Sequence, residues 1–511
     1  MATSPSERAA RPLFRRVLIA NRGEIAVRVI RACRELGIES VAVFSEPDRT
    51  ALHVRQADHA YPIGPAAPTE SYLSIEKLIA VAKTSGAEAV HPGYGFLAER
   101  TAFAEACRSA GLVLIGPTPE AMAAMGDKLE ARRIMSRAGV PVVPGTEKPV
   151  ASEGEVTRLA DEIGFPVLLK AAGGGGGKGM RLVERSGDLA GALRSARSEA
   201  KSSFGDDRVY IERAILRPRH VEVQVLGDTQ GHIIHLYERE CSIQRRHQKV
   251  IEESPSLAVD QATREAMGEV AVKAARAVNY TGAGTIEFLV DPARKFYFLE
   301  MNTRIQVEHP ITEAVTGVDL VKAQIEIAAG LPLRYRQEDI AQRGWAIECR
   351  VYAEAPENHF LPAPGRIEVL RVPSGIGIRD DSGVYEGFEV STNYDPLLSK
   401  LVAWGSTRDE AIERMLRALH EYTVVGPTTN LAFHRWALEH PAFRAGEIDT
   451  GFIARHLRPG ATPDGLAADL PLIGAALAAV SRTRQAPNGA GAAAAPGSRW
   501  RELARREALR E

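Results

Sequence analysis

The 511-residue chain has only four cysteines, Cys33, Cys107, Cys241 and Cys349, and none forms a CxxC pair. That spacing argues against a zinc site or a disulfide framework and suits a reducing, cytoplasmic setting. Net charge is also scarce: 64 Lys and Arg stand against 65 Asp and Glu, leaving −1. Such a balance speaks against non-specific binding of the whole molecule to nucleic acid or to a membrane. No apolar run approaches the ~20 residues of a membrane-spanning helix. The longest, "LPLIGAALAAV" from Leu470, reads as a small docking helix. The opening "MATSPSERAARPLFRR" lacks the apolar stretch of a secretory signal. What remains is an ordinary globular composition, 45% hydrophobic and 25% charged. At ~150 residues per domain, about three domains are expected.

The hydrophobic pattern organises these domains. "RRVLIAN" reads as a buried strand. "EIAVRVIRACRELG" reads as a helix, with Ile25, Val29, Ala32, Cys33 and Leu36 on one face and Gly37 as its stop. "ESVAVFS" reads as the next strand. Strand, helix, strand in so short a space predicts an open parallel α/β sheet over residues 1–125. From 126 to 336 the pattern turns α+β, with alternating strands at "VYIERAI", "HVEVQVLGD" and "HIIHLYER". Residues 337–456 mix strands with the helix "RDEAIERMLRALHEY". The rest, 457–511, is rich in Ala, Pro and Gly and is expected to be flexible, closing on a helical tip, "SRWRELARREALRE".

Within the second region, "LLKAAGGGGGKGMRLVE" carries five consecutive glycines after Lys170. A Walker A loop would need glycine where Ala172 stands and a hydroxyl where Gly179 stands. Gly174, Gly176 and Gly179 match GxGxxG, but a dinucleotide fingerprint requires a helix next, and "MRLVE" is strand-like. A glycine loop joining two strands inside one domain fits a lid over phosphates better than a linker, and the lid is expected at about 140–215.

The stretch "GTIEFLVDPARKFYFLEMNTRIQVEHP" reads as a hairpin. A four-residue turn over Asp291–Arg294 would set Glu287 opposite Phe298. Phe298, Glu300 and Asn302 would then share its face, with Glu300 diagonal to Glu287. An odd turn would flip that parity. Two carboxylates and an amide oxygen on one face make an all-oxygen site for Mg²⁺ or Mn²⁺. Metal, lid and Lys170 together point to a nucleoside triphosphate.

Taken in order, "IANRGEIA", "HPGYGFLAE", "MGDK", "KAAGGGGGKGM", "ERECSIQRRHQKVIEE", "EFLV…FLEMNTRIQVEHPITE" and "ECRVYAE" resemble the biotin carboxylases, which are ATP-grasp enzymes, over roughly residues 14–455. The resemblance implies ATP- and bicarbonate-dependent carboxylation of biotin through carboxyphosphate. It implies that ATP is held by Lys128, Lys170, Gly176, Gly177, the run Glu212, Arg213, Ala214 and Ile215, and by His220, Gln244 and His247. Glu287, Glu300 and Asn302 match the metal residues. Lys249, Arg304, Gln306 and Val307 are implied around bicarbonate, with Glu308 as the base. Arg350 is implied to stabilise the biotin enolate, and Tyr94 to line the biotin pocket. Cys241, beside this constellation, reads as a small buried thiol rather than a nucleophile.

No "AMKM"-type biotinyl hairpin is present. The expected protein is therefore a free-standing subunit that uses biotin on a separate carrier protein. A carboxyltransferase subunit would pass the carboxyl group to an acyl-CoA or to pyruvate. A homodimer is implied by the family. The open alternatives are another ATP-grasp ligase, such as one like carbamoyl phosphate synthetase, and a nucleotide-binding regulatory subunit without turnover.

Overall fold

The computed structural model describes residues 13–173 and 179–458. Gly176 and Gly177, the Leu470 helix and the C-terminal tip lie outside the described residues.

The chain opens with five parallel strands in the order β3-β2-β1-β4-β5: β1 (Arg16–Ile19), β2 (Glu39–Ser45), β3 (His59–Gly64), β4 (Ala89–His91) and β5 (Val113–Leu114). Helix α1 (Gly23–Glu35) crosses from β1 to β2 and ends as the sequence predicts. Gly37 takes φ +70°, and Ile38 N–H reaches back to the Cys33 carbonyl at 2.9 Å. The predicted apolar face is buried except at Leu36, which is half-buried. The polar face is covered too: Glu24 and Arg28 are buried, because Arg28 pairs with Glu313 and Asp319 from the middle of the chain.

A smaller three-stranded antiparallel sheet follows, β6 (Val167–Ala171) flanked by β7 (Arg181–Val183) and β8 (Val209–Arg213). The helices Glu153–Ile163 and Leu189–Phe204 close it with a core of its own, including Val156, Leu169, Leu193 and Ile211.

The main scaffold is an eight-stranded antiparallel sheet. Its strands run β13 (Phe296–Asn302), β12 (Gly282–Val290), β9 (Arg219–Gly227), β10 (Ile233–Arg245), β11 (Gln248–Ser254) and β14 (Trp345–Tyr352). The strands Leu397–Gly405 and Ile378–Ser382 complete it. Strands from both sides of residue 336 thus share one sheet, because β14 pairs with β11 and leaves it no open edge.

The hairpin differs from its expected register twice. Asp291 N–H bonds the Lys295 carbonyl, so the turn holds three residues, not two, between Asp291 and its partner. Phe288 then faces Phe298, which leaves the site face and enters the core. A β-bulge at Leu299 next adds one residue, and Glu287 comes directly opposite Glu300, with Thr285 opposite Asn302. The odd turn flips the parity and the bulge flips it back.

Candidate active site

The polar residues of the central sheet gather on one face. On β9, His220, Glu222 and Gln224 alternate inward, although all three are buried. Glu222 lies between Arg239 on β10 and Glu287 on β12. Arg239 is fully buried and satisfies its guanidinium completely. It donates to Glu222 (2.6 Å), Gln224 (2.7 Å), Thr312 (2.9 Å), Thr285 (3.1 Å) and the Gln306 amide oxygen (2.6 Å). Gln306, with its oxygen so held, turns its amide toward Glu287 at 2.8 Å.

Lys249 is the centre of this face. Its ammonium donates to Glu287 at 2.8 Å, to Glu308 at 2.7 Å and also to Glu222. Burial works against the charge, but the three carboxylates outweigh it and hold the pKa well above the usual lysine range. Glu308 caps helix α2 (His309–Thr316) and presents its second oxygen to Arg350 at 2.9 Å. Burial opposes its charge, but Lys249 and Arg350 prevail and keep Glu308 well below the ordinary carboxylate range. Arg350, on β14, also donates to Glu252 at 2.6 Å. Its own carbonyl is clamped by Asn430 (2.9 Å) and His434 (2.8 Å).

Glu287 receives a further bond from Asn302 at 2.8 Å and has His220 Nε2 at 3.2 Å. Burial lowers the His220 pKa, but the Glu287 charge more than reverses that. Glu300 stands 3.4 Å from Lys128 at the start of the helix Lys128–Arg137. Arg304 is tied to Glu99 (2.9 Å) and to the Asn302 oxygen (2.9 Å). His220, Glu222 and Glu287 bring donor atoms within 4.8 Å of one another, yet the Lys249 ammonium already takes the cation's place between the two carboxylates. The facing pair Glu287 and Glu300, with Asn302 beside them, suits a hard divalent ion better.

A second cluster lies toward the small sheet. Lys170 on β6 donates to Glu212 on β8 at 3.0 Å, and both are buried. Arg213 is exposed, and Ala214 and Ile215 follow it, with Ala214 N–H bonded to the Pro166 carbonyl. His247 is desolvated and close enough to Lys128 and Lys170 for both to depress its pKa further. Gln244 donates to the Cys241 carbonyl at 2.8 Å. Cys241 itself is buried, and burial pushes its thiol well up, which removes it as a nucleophile.

Tyr94 stands apart from these groups: its hydroxyl bonds Glu24 on α1. Burial pushes Glu24 up to about 7, against the pull of nearby Lys400. Lys400 in turn donates to the Val307 carbonyl at 3.0 Å. Sequence reading missed Arg239, Glu222, Glu252, Glu99 and Lys400. The first two had a signal: charged residues alternating within "HVEVQVLG" and "YERE", where a strand this apolar would hide them. Glu99 and Lys400 are joined to the site only by the tertiary fold.

The chain matches three family descriptions. Residues 13–122 match the biotin carboxylase N-terminal domain, and residues 348–455 the biotin carboxylase C-terminal domain. Residues 127–336 match the ATP-binding domain of the carbamoyl-phosphate synthase L chain. The chain is 55% identical over 446 residues to a pyruvate carboxylase subunit of Methanothermobacter thermautotrophicus, covering 87% of this chain and 91% of that one. With biotin carboxylase 1 of Bacillus subtilis it shares 52% over 442 residues, 86% of this chain and 98% of that one. A solved structure of similar shape is the biotin carboxylase domain dimer of Hydrogenobacter thermophilus 2-oxoglutarate carboxylase with MgADP, ADP and bicarbonate. Its TM-score is 0.84 at 47% identity, over 87% of this chain and 98% of that one. Domains before and after the ATP-binding part agree with the site's geometry, and the chain belongs to the biotin carboxylase family.

Proposed function

We propose that this chain carboxylates biotin on a separate carrier protein with ATP and bicarbonate, as the first half-reaction of an acyl-CoA carboxylase. The observation that carries this reading is the Lys249–Glu308–Arg350 chain of contacts on the same sheet face as Glu287 and Glu300. It sets an ionised carboxylate between two cations, beside a metal-binding pair.

In this reading residues 1–125, 126–336 and 337–456 serve as N-terminal, ATP-grasp and C-terminal parts. Lys128, Lys170, Glu212, Arg213, Ala214, Ile215, His220, Gln244 and His247 hold the nucleotide, with Gly176 and Gly177 in the lid over its phosphates. Glu287, Glu300 and Asn302 hold Mg²⁺ or Mn²⁺, which supplies charge neutralisation on the phosphates. Lys249, Arg304, Gln306 and the Val307 main chain surround bicarbonate. Glu308 takes its proton, and the resulting dianion attacks the γ-phosphorus of ATP to give carboxyphosphate and ADP. Carboxyphosphate then breaks its C–O bond to give CO₂ and phosphate. The phosphate takes the biotin N1′ proton, and N1′ bonds to CO₂ in a pocket lined by Tyr94, while Arg350 stabilises negative charge that develops on the ureido oxygen.

The similarity to a pyruvate carboxylase subunit supports a second reading of the last acceptor, pyruvate in place of an acyl-CoA. Both acceptors would be served by a carboxyltransferase subunit, and the catalytic subunit would work as a homodimer in a cytoplasmic setting. Among the described residues no helix is long and apolar enough to cross a membrane. Purifying the chain with its bound partners and supplying either acceptor decides between the two. Labelled carboxyl transfer to acyl-CoA supports the first reading, and transfer to pyruvate alone overturns it.

A further inference from the structure

Lys400 lies within the strand Leu397–Gly405, and its side chain is fully buried. A buried ammonium is costly unless its partners compensate it. It stands 3.0 Å from Glu24 Oε2, donates to the Val307 carbonyl at 3.0 Å, and has Asp381 at 4.0 Å. These partners come from α1, from the loop before α2 and from the strand Ile378–Ser382. One cation therefore joins three distant parts of the chain.

Glu24 and Asp381 together face the ammonium and offset the cost of burying it. The bond to Val307 does something else. The Val307–Glu308 peptide is trans, since the cis bonds among the described residues lie elsewhere. In a trans peptide the carbonyl and the following N–H point in opposite directions. With its carbonyl drawn to Lys400, this peptide turns the Glu308 N–H the other way. That N–H stands at the head of α2, and among the described residues no group accepts from it. Unpaired amides at a helix start carry partial positive charge and attract anions. The side chain of the same residue reaches Lys249 and Arg350.

We propose that Lys400 is a positioning residue for the bicarbonate step: by holding the Val307 carbonyl back, it keeps the Glu308 N–H aimed at the anion. The inference rests on the biotin carboxylase reaction proposed above. Glu24 acts as the countercharge that keeps the ammonium in place.

The test is steady-state ATP cleavage by the full chain with bicarbonate and free biotin, for wild type, Lys400→Met and Glu24→Gln/Lys400→Met. The double variant removes both charges, so it avoids the unpaired carboxylate that threatens the single one. In both variants KM for bicarbonate should rise about tenfold, the size of one lost charge-assisted hydrogen bond, while KM for MgATP stays within about twofold. A merely structural lysine would not split the two constants. An unchanged bicarbonate KM in the folded double variant overturns the proposal. Failure of both variants to fold also overturns it, because Lys400 would then be needed for the fold itself. If wild type shows no bicarbonate-dependent ATP cleavage, the functional reading fails instead.

Discussion

The cations that favour the ionised form of Glu308 also make it a weak base. Lys249 and Arg350 both contact it. A bound anion that draws either cation away raises its proton affinity, so substrate binding itself prepares the base. Arg350 then has two tasks, restraining Glu308 and steadying charge on biotin. Replacing it with serine should cut biotin carboxylation by about 100-fold or more, with KM for ATP changed less than about threefold. Equal losses in both, measured by product formation and by ATP titration, would count against the enolate role. Glu300→Gln should lower metal-dependent ATP cleavage at least about 100-fold, and near-normal turnover would refute the metal assignment. Arg239 touches none of the substrates in this account but fixes Glu222 and Gln306. Arg239→Met takes one of two cations from buried Glu222 and the donor from the Gln224 and Gln306 amide oxygens, and should cost about 3–5 kcal/mol in a denaturant melt. A loss below about 1 kcal/mol would mean that the network repacks.

At the scale of elements, approach distances decide whether the site assembles. Gly383, just after the strand Ile378–Ser382, sits against the start of α1, where a Cβ would lie 2.6 Å from the Glu24 nitrogen. Gly383→Ala should push α1 from the sheet, destabilise the protein by about 1–3 kcal/mol and raise the bicarbonate KM as Lys400→Met does. An unaltered melt and KM would show that the gap can open freely. The hairpin shows how far sequence reaches at this scale. Alternation placed Glu287, Glu300 and Asn302 on one face, which holds. It did not foresee the three-residue turn, in which Asp291 Oδ1 accepts from the Ala293 and Lys295 N–H groups, or the Leu299 bulge, which lies beside the bond from Phe298 N–H to the Pro141 carbonyl from a distant part of the chain. The odd turn is what sends Phe298 to the core. The parallel N-terminal sheet and the strand pair around the glycines were legible because short-range periodicity specifies them.

For the whole molecule, the missing information was long-range. Motif order pointed to the family, but nothing local shows that β14 continues the central sheet or that Lys400 reaches Val307. The same burial that assembles the site also sets the pH response. His53, His91 and His434 are buried, and burial lowers each to about 4. A histidine depressed on folding supplies stability that is complete above about 6.5 and is lost as pH falls toward 4, since the unfolded chain takes the proton first. Glu24 and Glu252, both raised to about 7 by burial, act in the opposite sense, so one site must be isolated. His434→Gln should be less stable than wild type at pH 7.5, and the gap should narrow by about 2 kcal/mol at pH 5. A gap independent of pH would mean that folding does not depress the His434 pKa.

The most direct measurement of the central claim follows labelled bicarbonate in a reaction of the purified full chain with MgATP and free biotin. The account predicts acid-labile carboxybiotin formed with one ADP per carboxyl group, and no product when bicarbonate or ATP is withheld. ATP cleavage that ignores bicarbonate, or label appearing in another product with biotin untouched, would contradict it.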